Sequence, residues 1–245
     1  MNKIIILCIF ILISAMTVSL YGKLPHVDAK TKDGVSYIRE AEKGSVEELE
    51  VHLKYKREEE VSKAVREGKM DVFSLFDDFA FFGDSRVMGY NVYGFLPPER
   101  IYANTGDTIY SVDRWLEILN AQKPSTIYFS YGINDTLSDI GNREGGYDRI
   151  FETQIKKVEQ VCPQAKIYVL SIIPPNKEAV KDRPGLARYI TYNEQLKFMC
   201  EKNHWTYVNC DTIIPHAGYD VYQEDGIHFV KDFYKLWAAK IIESQ

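Results

Sequence analysis

The sequence predicts a three-layer α/β/α domain around a five-stranded parallel sheet, preceded by an N-terminal leader and a charged helix. Two observations predict this fold class. From residue 78 onward, short apolar runs alternate with amphipathic segments. The runs are continuously apolar, as expected for strands that are buried on both faces. The predicted strands are FAFF (79–82), RIYA (100–103), TIYFSY (126–131), KIYVLSI (166–172) and WTYVNC (205–210).

Amphipathic segments between and after these runs predict the covering helices. Right-handed strand–helix–strand crossovers place such helices on both faces of a sheet. In parallel sheets of this kind, ligands bind beyond the carboxyl ends of the strands, so functional residues are expected there. The predicted helices lie near 86–94, 108–120, 146–161, 187–203 and 230–243.

Residues 1–22 predict a targeting segment. A short basic start, MNK, precedes a run of 17 residues without a charge at 4–20. This run is long for a signal-peptide core and short for a membrane span, and no clean Ala-x-Ala site follows it. A cleaved signal peptide and an uncleaved signal anchor both remain open. Cys8 lacks the small-residue context of a lipoprotein site.

Residues 23–70 predict a stalk and a charged helix, and residues 71–245 the folded domain. Residues 23–44 are polar and aperiodic. Ser45 and Glu48 form a capping box at the start of a charged helix that runs to residue 68. Its apolar stripe is thin, which favours a solvated helix over a partner-binding coil.

Composition excludes several classes of protein. With 45% hydrophobic and 27% charged residues, the chain is typical of folded proteins. Its net charge of −5 gives no indication of a basic surface that would bind nucleic acid. No Cys/His cluster has zinc spacing, so neither a metal nor a cofactor is predicted. Three cysteines beyond the leader are too few for a disulfide framework. These cysteines are Cys162, Cys200 and Cys210. Three free thiols are favoured over a single disulfide bridge between Cys200 and Cys210.

Small or polar residues follow four of the five predicted strands, and their chemistry is complementary. A serine hydroxyl needs a histidine as its base, and the histidine needs a carboxylate to orient it. An oxyanion then needs hydrogen-bond donors, which the N–H at a helix start, a glycine N–H and a carboxamide supply. The segments are Gly83-Asp84-Ser85, Asn104-Thr105-Gly106, Gly132-Ile133-Asn134-Asp135 and, before the last helix, Asp225-Gly226-Ile227-His228.

These blocks, GDS, a lone Gly, GxND and DxxH in this order, resemble the SGNH (GDSL-type) hydrolase superfamily over roughly residues 72–243. The resemblance implies a flavodoxin-like fold and a Ser–His–Asp triad. It implies Ser85 as nucleophile and oxyanion donor, Gly106 and Asn134 as the other donors, His228 as base and Asp225 as its partner. Arg86 after the serine departs from the family name, which leaves the substrate class open.

Each block also has a purely structural interpretation. GDS can simply end a strand, GxND can be a loop braced by its Asn, and DxxH can be a helix cap with a surface histidine. The four blocks in order, each after a predicted strand or before the last helix, favour catalysis. Arg86 is predicted either to contact an anionic substrate or to support the site. Tyr131 is a candidate for stacking on a sugar, with core packing as the alternative. His204 and His216 are predicted to be surface residues.

The resulting hypothesis is a serine esterase that removes small acyl groups, acetyl foremost, from an extracellular or cell-wall glycan. A transferase passing the acyl group to a glycan, a lysophospholipase or thioesterase, and a non-catalytic surface protein are the alternatives. Asn134-Asp135-Thr136 is an N-glycosylation sequon, and glycosylation there would block the site. A bacterial cell-surface protein, secreted or held at the membrane by residues 1–22, is therefore expected.

Overall fold

A computed structural model describes residues 67–143 and 145–245, and 13 earlier positions: 34–37, 45, 49, 50, 52, 53, 56, 60, 63 and 64. The chain divides into two units, residues 1–55 and 56–245. The predicted leader lies outside the described residues, as does most of the predicted stalk. Within the predicted charged helix, positions 49, 50, 52, 53, 56, 60, 63 and 64 are helical. Among the helices that the structure describes, none has the length and apolar character needed to cross a bilayer.

The second unit contains a five-stranded, fully parallel sheet in the order β2-β1-β3-β4-β5. After β1 the chain adds β2 on one side and then β3 on the other, so a topological switch point lies between β1 and β3. Gly83 at the end of β1 pairs with Ala103 of β2 and Ser130 of β3, which aligns the three carboxyl ends. The strands are β1 Phe79–Gly83, β2 Ile101–Ala103, β3 Thr126–Ser130, β4 Lys166–Leu170 and β5 Thr206–Val208.

From residue 85 onward, the described part of this unit contains nine α-helices. They are α1 Ser85–Val92, α2 Leu116–Gln122, α3 Ile133–Ser138, α4 Ile140–Arg143, α5 Tyr147–Val161, α6 Lys177–Asp182, α7 Tyr189–Asn203, α8 Ile213–His216 and α9 Phe233–Glu243. The segment predicted as one helix at 108–120 is instead a 3-10 helix, Ile109–Trp115, followed by α2. Helices α3, α4, α6 and α8 were not predicted, because they are too short to show a helical period in the sequence.

Two aromatic cores cover the two faces of the sheet and confirm the three-layer prediction. Phe82 and its neighbour Phe129 pack on the face that α5 and α7 cover. Phe81, next to Phe82 in the chain, points to the opposite face and packs against Trp237 of α9. Successive side chains of a strand point to opposite faces, so a continuous aromatic run fills both cores.

The three cysteines of this unit are free and buried. The favoured prediction is therefore confirmed, and the alternative bridge between Cys200 and Cys210 is wrong. Cys200 packs in the core beneath α7, whereas Cys210 belongs to the core on the other face of the sheet. Because the sheet separates the two side chains, they cannot approach to bonding distance.

Candidate active site

Ser85 is the first residue of α1 and follows the end of β1 by two positions. Asp84 caps the helix, since its carboxylate accepts a hydrogen bond of 3.0 Å from the Arg86 N–H. Gly83 allows α1 to pack closely on the strand, because a Cβ there would overlap the Val87 side chain. The GDS sequence thus produces an abrupt strand-to-helix turn with the serine, half-buried, at its tip.

The structure brings Ser85, His228 and Asp225 into one hydrogen-bonded chain. The Ser85 Oγ lies 2.8 Å from the His228 Nε2, and the His228 Nδ1 lies 2.5 Å from the Asp225 Oδ2. The serine and the histidine are 143 residues apart in the sequence. This is the arrangement in which an imidazole can accept the hydroxyl proton while the carboxylate holds its other nitrogen.

The Asp225 carboxylate is held by its own loop. Its Oδ1 accepts bonds of 2.9 Å from the N–H groups of both Ile227 and His228. Partial burial raises the pKa of Asp225, but the hydrogen bonds from the His228 side chain and from these two N–H groups outweigh it and lower the pKa to about 2. Gly226 adopts φ +67°, which this tight turn requires. The carboxylate is therefore ionised at neutral pH and fixed against the imidazole.

Gly106 and Asn134, the other predicted oxyanion donors, lie just beyond the ends of β2 and β3, on either side of β1. Gly106 is exposed and has φ +81°, and apart from its chain neighbours no atom of the described residues lies within 4 Å of where its Cβ would be. A glycine is thus favoured at this position because of the positive φ of the turn, and not because a side chain would lack space. The Asn134 amide donates to the Asp107 carbonyl at 2.9 Å, which links the two loops.

Asp107, which sequence reasoning missed, organises the loop that carries Gly106. Its buried carboxylate accepts from the Asn104 N–H at 2.9 Å and pairs with Arg114 at 3.2 Å. Asp135 performs a similar task from the other side, since its Oδ1 accepts from the Ile109 N–H at 3.0 Å. The only available signal for Asp107 is its place in an Asn-Thr-Gly-Asp turn.

The buried Asp135 carboxyl makes stability depend on pH. Desolvation raises the pKa of Asp135 to about 7, despite the hydrogen bond from the Ile109 N–H. Because the carboxyl is ionised more easily in the unfolded chain, the folded state loses stability as the pH rises from about 4 to 7. This loss amounts to at most about 4 kcal/mol.

Asp135→Asn is expected to reduce this pH dependence, because the amide oxygen still accepts from Ile109 and cannot ionise. Urea unfolding at pH 4 and pH 8 is the measurement. The variant should gain stability relative to the wild type at pH 8 and not at pH 4. Asp77→Asn, at an exposed carboxyl, is the control. Equal pH dependence in all three proteins would show that Asp135 does not carry the effect.

Burial decides between the two interpretations left open for each of two residues. Arg86 is 4% exposed and its guanidinium donates to backbone carbonyls, so it supports the site and does not contact substrate. Tyr131 is 1% exposed within the core, so its ring is not available to a sugar. His204 and His216 lie on the surface, as expected. No cluster of three metal-ligating side chains occurs in the described part of the chain.

Comparison with known proteins gives one family match. Residues 81–236, more than half of the chain, match the model of the GDSL-like lipase/acylhydrolase family. The match begins in β1, just before Ser85, and ends in α9, beyond His228. No curated protein sequence gives a significant match.

Solved structures share the fold at low sequence identity. A Streptococcus pneumoniae protein described as a platelet activating factor has a TM-score of 0.53 at 21% identity, covering 79% of this chain and 95% of its own. The lipase/acylhydrolase of Enterococcus faecalis has a TM-score of 0.51 at 16% identity, with coverages of 68% and 94%.

An acetyl-xylooligosaccharide esterase from Geobacillus, solved as an Arg-to-Ala variant, has a TM-score of 0.50 at 18% identity, with coverages of 68% and 92%. At these identities the structural likeness concerns the fold alone. The family assignment rests instead on the model match, which spans every block of the hydrogen-bonded site. The chain therefore belongs to the GDSL-like lipase/acylhydrolase family, and it is an ester-bond hydrolase.

Proposed function

We propose that this protein is a serine esterase that removes acetyl or similarly small acyl groups from a glycan outside the cell. The observation that carries the proposal is the hydrogen-bonded chain from Ser85 through His228 to Asp225. A serine, an imidazole and a carboxylate at these distances are the parts that an acyl-enzyme mechanism requires.

The contacts give each group a step in the reaction. His228 Nε2 takes the Ser85 proton as Oγ attacks the ester carbonyl carbon, and the new imidazolium is stabilised by Asp225. The carbonyl oxygen becomes an oxyanion, which the N–H groups of Ser85 and Gly106 and the Asn134 amide stabilise. The intermediate collapses as His228 returns its proton to the departing alcohol. Water then attacks the acyl-enzyme by the same route, which releases the acid and restores Ser85.

The surroundings of the site support a small acyl group and a polar alcohol. Asn104, Thr105 and Gly106 are all exposed next to the predicted oxyanion donors, and they offer amide, hydroxyl and backbone groups. Such a rim suits a sugar better than a long alkyl chain. An acetyl-xylooligosaccharide esterase shares this fold, which supports an acetylated sugar as the substrate. The leader-like sequence at 1–22 supports export to the bacterial surface.

Substrate assays on the purified full-length chain test the proposal. Acetate release from O-acetylated xylooligosaccharides and hydrolysis of 4-nitrophenyl acetate are expected, with much slower hydrolysis of 4-nitrophenyl palmitate. Oligosaccharides that carry only N-acetyl groups are the matched control and should not react. Faster cleavage of the palmitate ester would contradict the small-acyl proposal. Acetate appearing on an added oligosaccharide, and not in solution, would identify a transferase instead.

A further inference from the structure

Arg86 contacts the residues on both sides of His228. Its Nε donates to the Ile227 carbonyl at 3.0 Å, and its guanidinium carbon lies 4.8 Å from the centre of the Phe229 ring. Its Nη1 donates to the Ile173 carbonyl at 2.7 Å, beyond the end of β4. One side chain thus joins three segments that are distant in sequence, namely the start of α1, the loop after β4 and the loop that carries His228.

The backbone of Arg86 is itself held in place. The Tyr234 hydroxyl of α9 donates to the Arg86 carbonyl at 2.8 Å, and the Arg86 N–H donates to Asp84. The acceptor loop after β4 is also fixed, because the Asn193 side chain bonds both the N–H and the carbonyl of Ile172. The guanidinium therefore connects anchored elements to the histidine loop. That loop is otherwise partly solvent-exposed, and the His228 side chain is 35% exposed.

Core packing alone does not account for a guanidinium at this position. Burial of a charged group costs several kcal/mol unless its partners compensate, and an apolar side chain of similar volume is often as stable or more so. Here the Nη2 is buried without a hydrogen-bond partner among the described residues. The hydrogen bonds and the ring contact of the guanidinium are directed at Ile227, Ile173 and Phe229, and two of these three residues flank His228.

We propose that Arg86 is a positioning residue that holds the His228 imidazole at hydrogen-bonding distance from Ser85. Ser85 and Arg86 are adjacent at the start of one helix, so a bond from Arg86 to Ile227 fixes the distance between nucleophile and base. A planar fork can bond two carbonyls and stack on a ring at once, which a lysine ammonium cannot do. A shift of about 1 Å in a catalytic group can cost on the order of 10²-fold in rate.

The proposal rests on the esterase function and is tested with Arg86→Lys and Arg86→Met in the full-length protein. Active sites are titrated with a fluorophosphonate that labels Ser85, so that each rate refers only to folded, reactive protein. With 4-nitrophenyl acetate, kcat per titrated site should fall about 10- to 100-fold in both variants. KM should change less than about threefold, because Arg86 does not contact substrate.

Arg100→Lys is the matched control, since Arg100 donates to the Phe79 carbonyl at the opposite end of β1. It should retain wild-type kcat per titrated site. Unchanged kcat per site in the Arg86 variants, or an equal fall in Arg100→Lys, would overturn the positioning role. A fall in thermal stability without a fall in kcat per site would assign Arg86 to the fold alone. An inactive wild type would instead refute the esterase function, so the two failures are distinguishable.

Discussion

Ser85→Ala is expected to lower kcat/KM for 4-nitrophenyl acetate by about 10⁴-fold or more. The His228 Nε2 is hydrogen-bonded to the hydroxyl of Ser85, and without this hydroxyl no acyl-enzyme forms. Residual hydrolysis then depends on the oxyanion donors and on water. Steady-state kinetics provide the rate, and mass spectrometry of protein quenched during turnover should show an acetyl adduct in the wild type alone.

Ser74→Ala is the matched control for this variant. Ser74 is exposed and lies in the 3-10 helix Val72–Leu75, before β1 begins. Its hydroxyl donates to the Asp71 carbonyl. The same hydroxyl oxygen is removed there, in a segment that carries none of the proposed site residues. The control should keep wild-type kcat/KM. Activity of Ser85→Ala within tenfold of the wild type would refute the role of Ser85 as nucleophile.

Asp225→Asn is expected to lower kcat about 10³- to 10⁴-fold while the fold is retained. The asparagine oxygen can still accept from the N–H groups of Ile227 and His228, which directs its NH₂ at the His228 Nδ1. The Nδ1 must then accept a hydrogen bond, so the ring proton moves to Nε2. A protonated Nε2 cannot take the proton of Ser85, and the base is lost even though every atom stays in place.

The control for this variant is Asp220→Asn, because Asp220 accepts from the Tyr222 N–H at 3.1 Å in a turn that precedes the same loop. It should leave kcat unchanged. The low pKa of Asp225, about 2, adds a pH criterion. Since the folded pKa is below that of the unfolded chain, the stabilisation by this carboxylate is present above about pH 4 and is lost as the pH falls toward 2. Protonation of Asp225 between pH 7 and pH 5, with a loss of wild-type activity, would contradict this low pKa.

The fold was largely predictable because buried parallel strands have a strong local signal. The aromatic run at 79–82 and the run at 126–131 are continuously apolar, and both are strands at the centre of the sheet. The 15-residue helices α5 and α7 were predicted within two residues at each end. The helices α3 and α6, of six residues each, were missed, because one or two turns carry too few residues for a period.

The site was predictable only as far as its residues follow strand ends. The GDS, GxND and DxxH blocks are short segments whose local chemistry shows in the sequence. Asp107 gave no comparable signal. Its carboxylate accepts from the Asn104 N–H and from Arg114, and these contacts exist only once the loop is folded. Arg86 and Tyr131 were open to two interpretations. Burial decided between them, and burial depends on what packs above a side chain.

The sequence by itself determined the fold class, the identity of the candidate nucleophile, base and carboxylate, and the edge of the sheet where they lie. These depend on local patterns of apolar and polar residues, which each short segment carries alone. Only the tertiary structure decided that the imidazole of His228 reaches the hydroxyl of Ser85, and that the buried Arg86 bonds the loop that carries the histidine. Such distances arise where elements far apart in the chain pack together, and no local stretch of sequence contains that information.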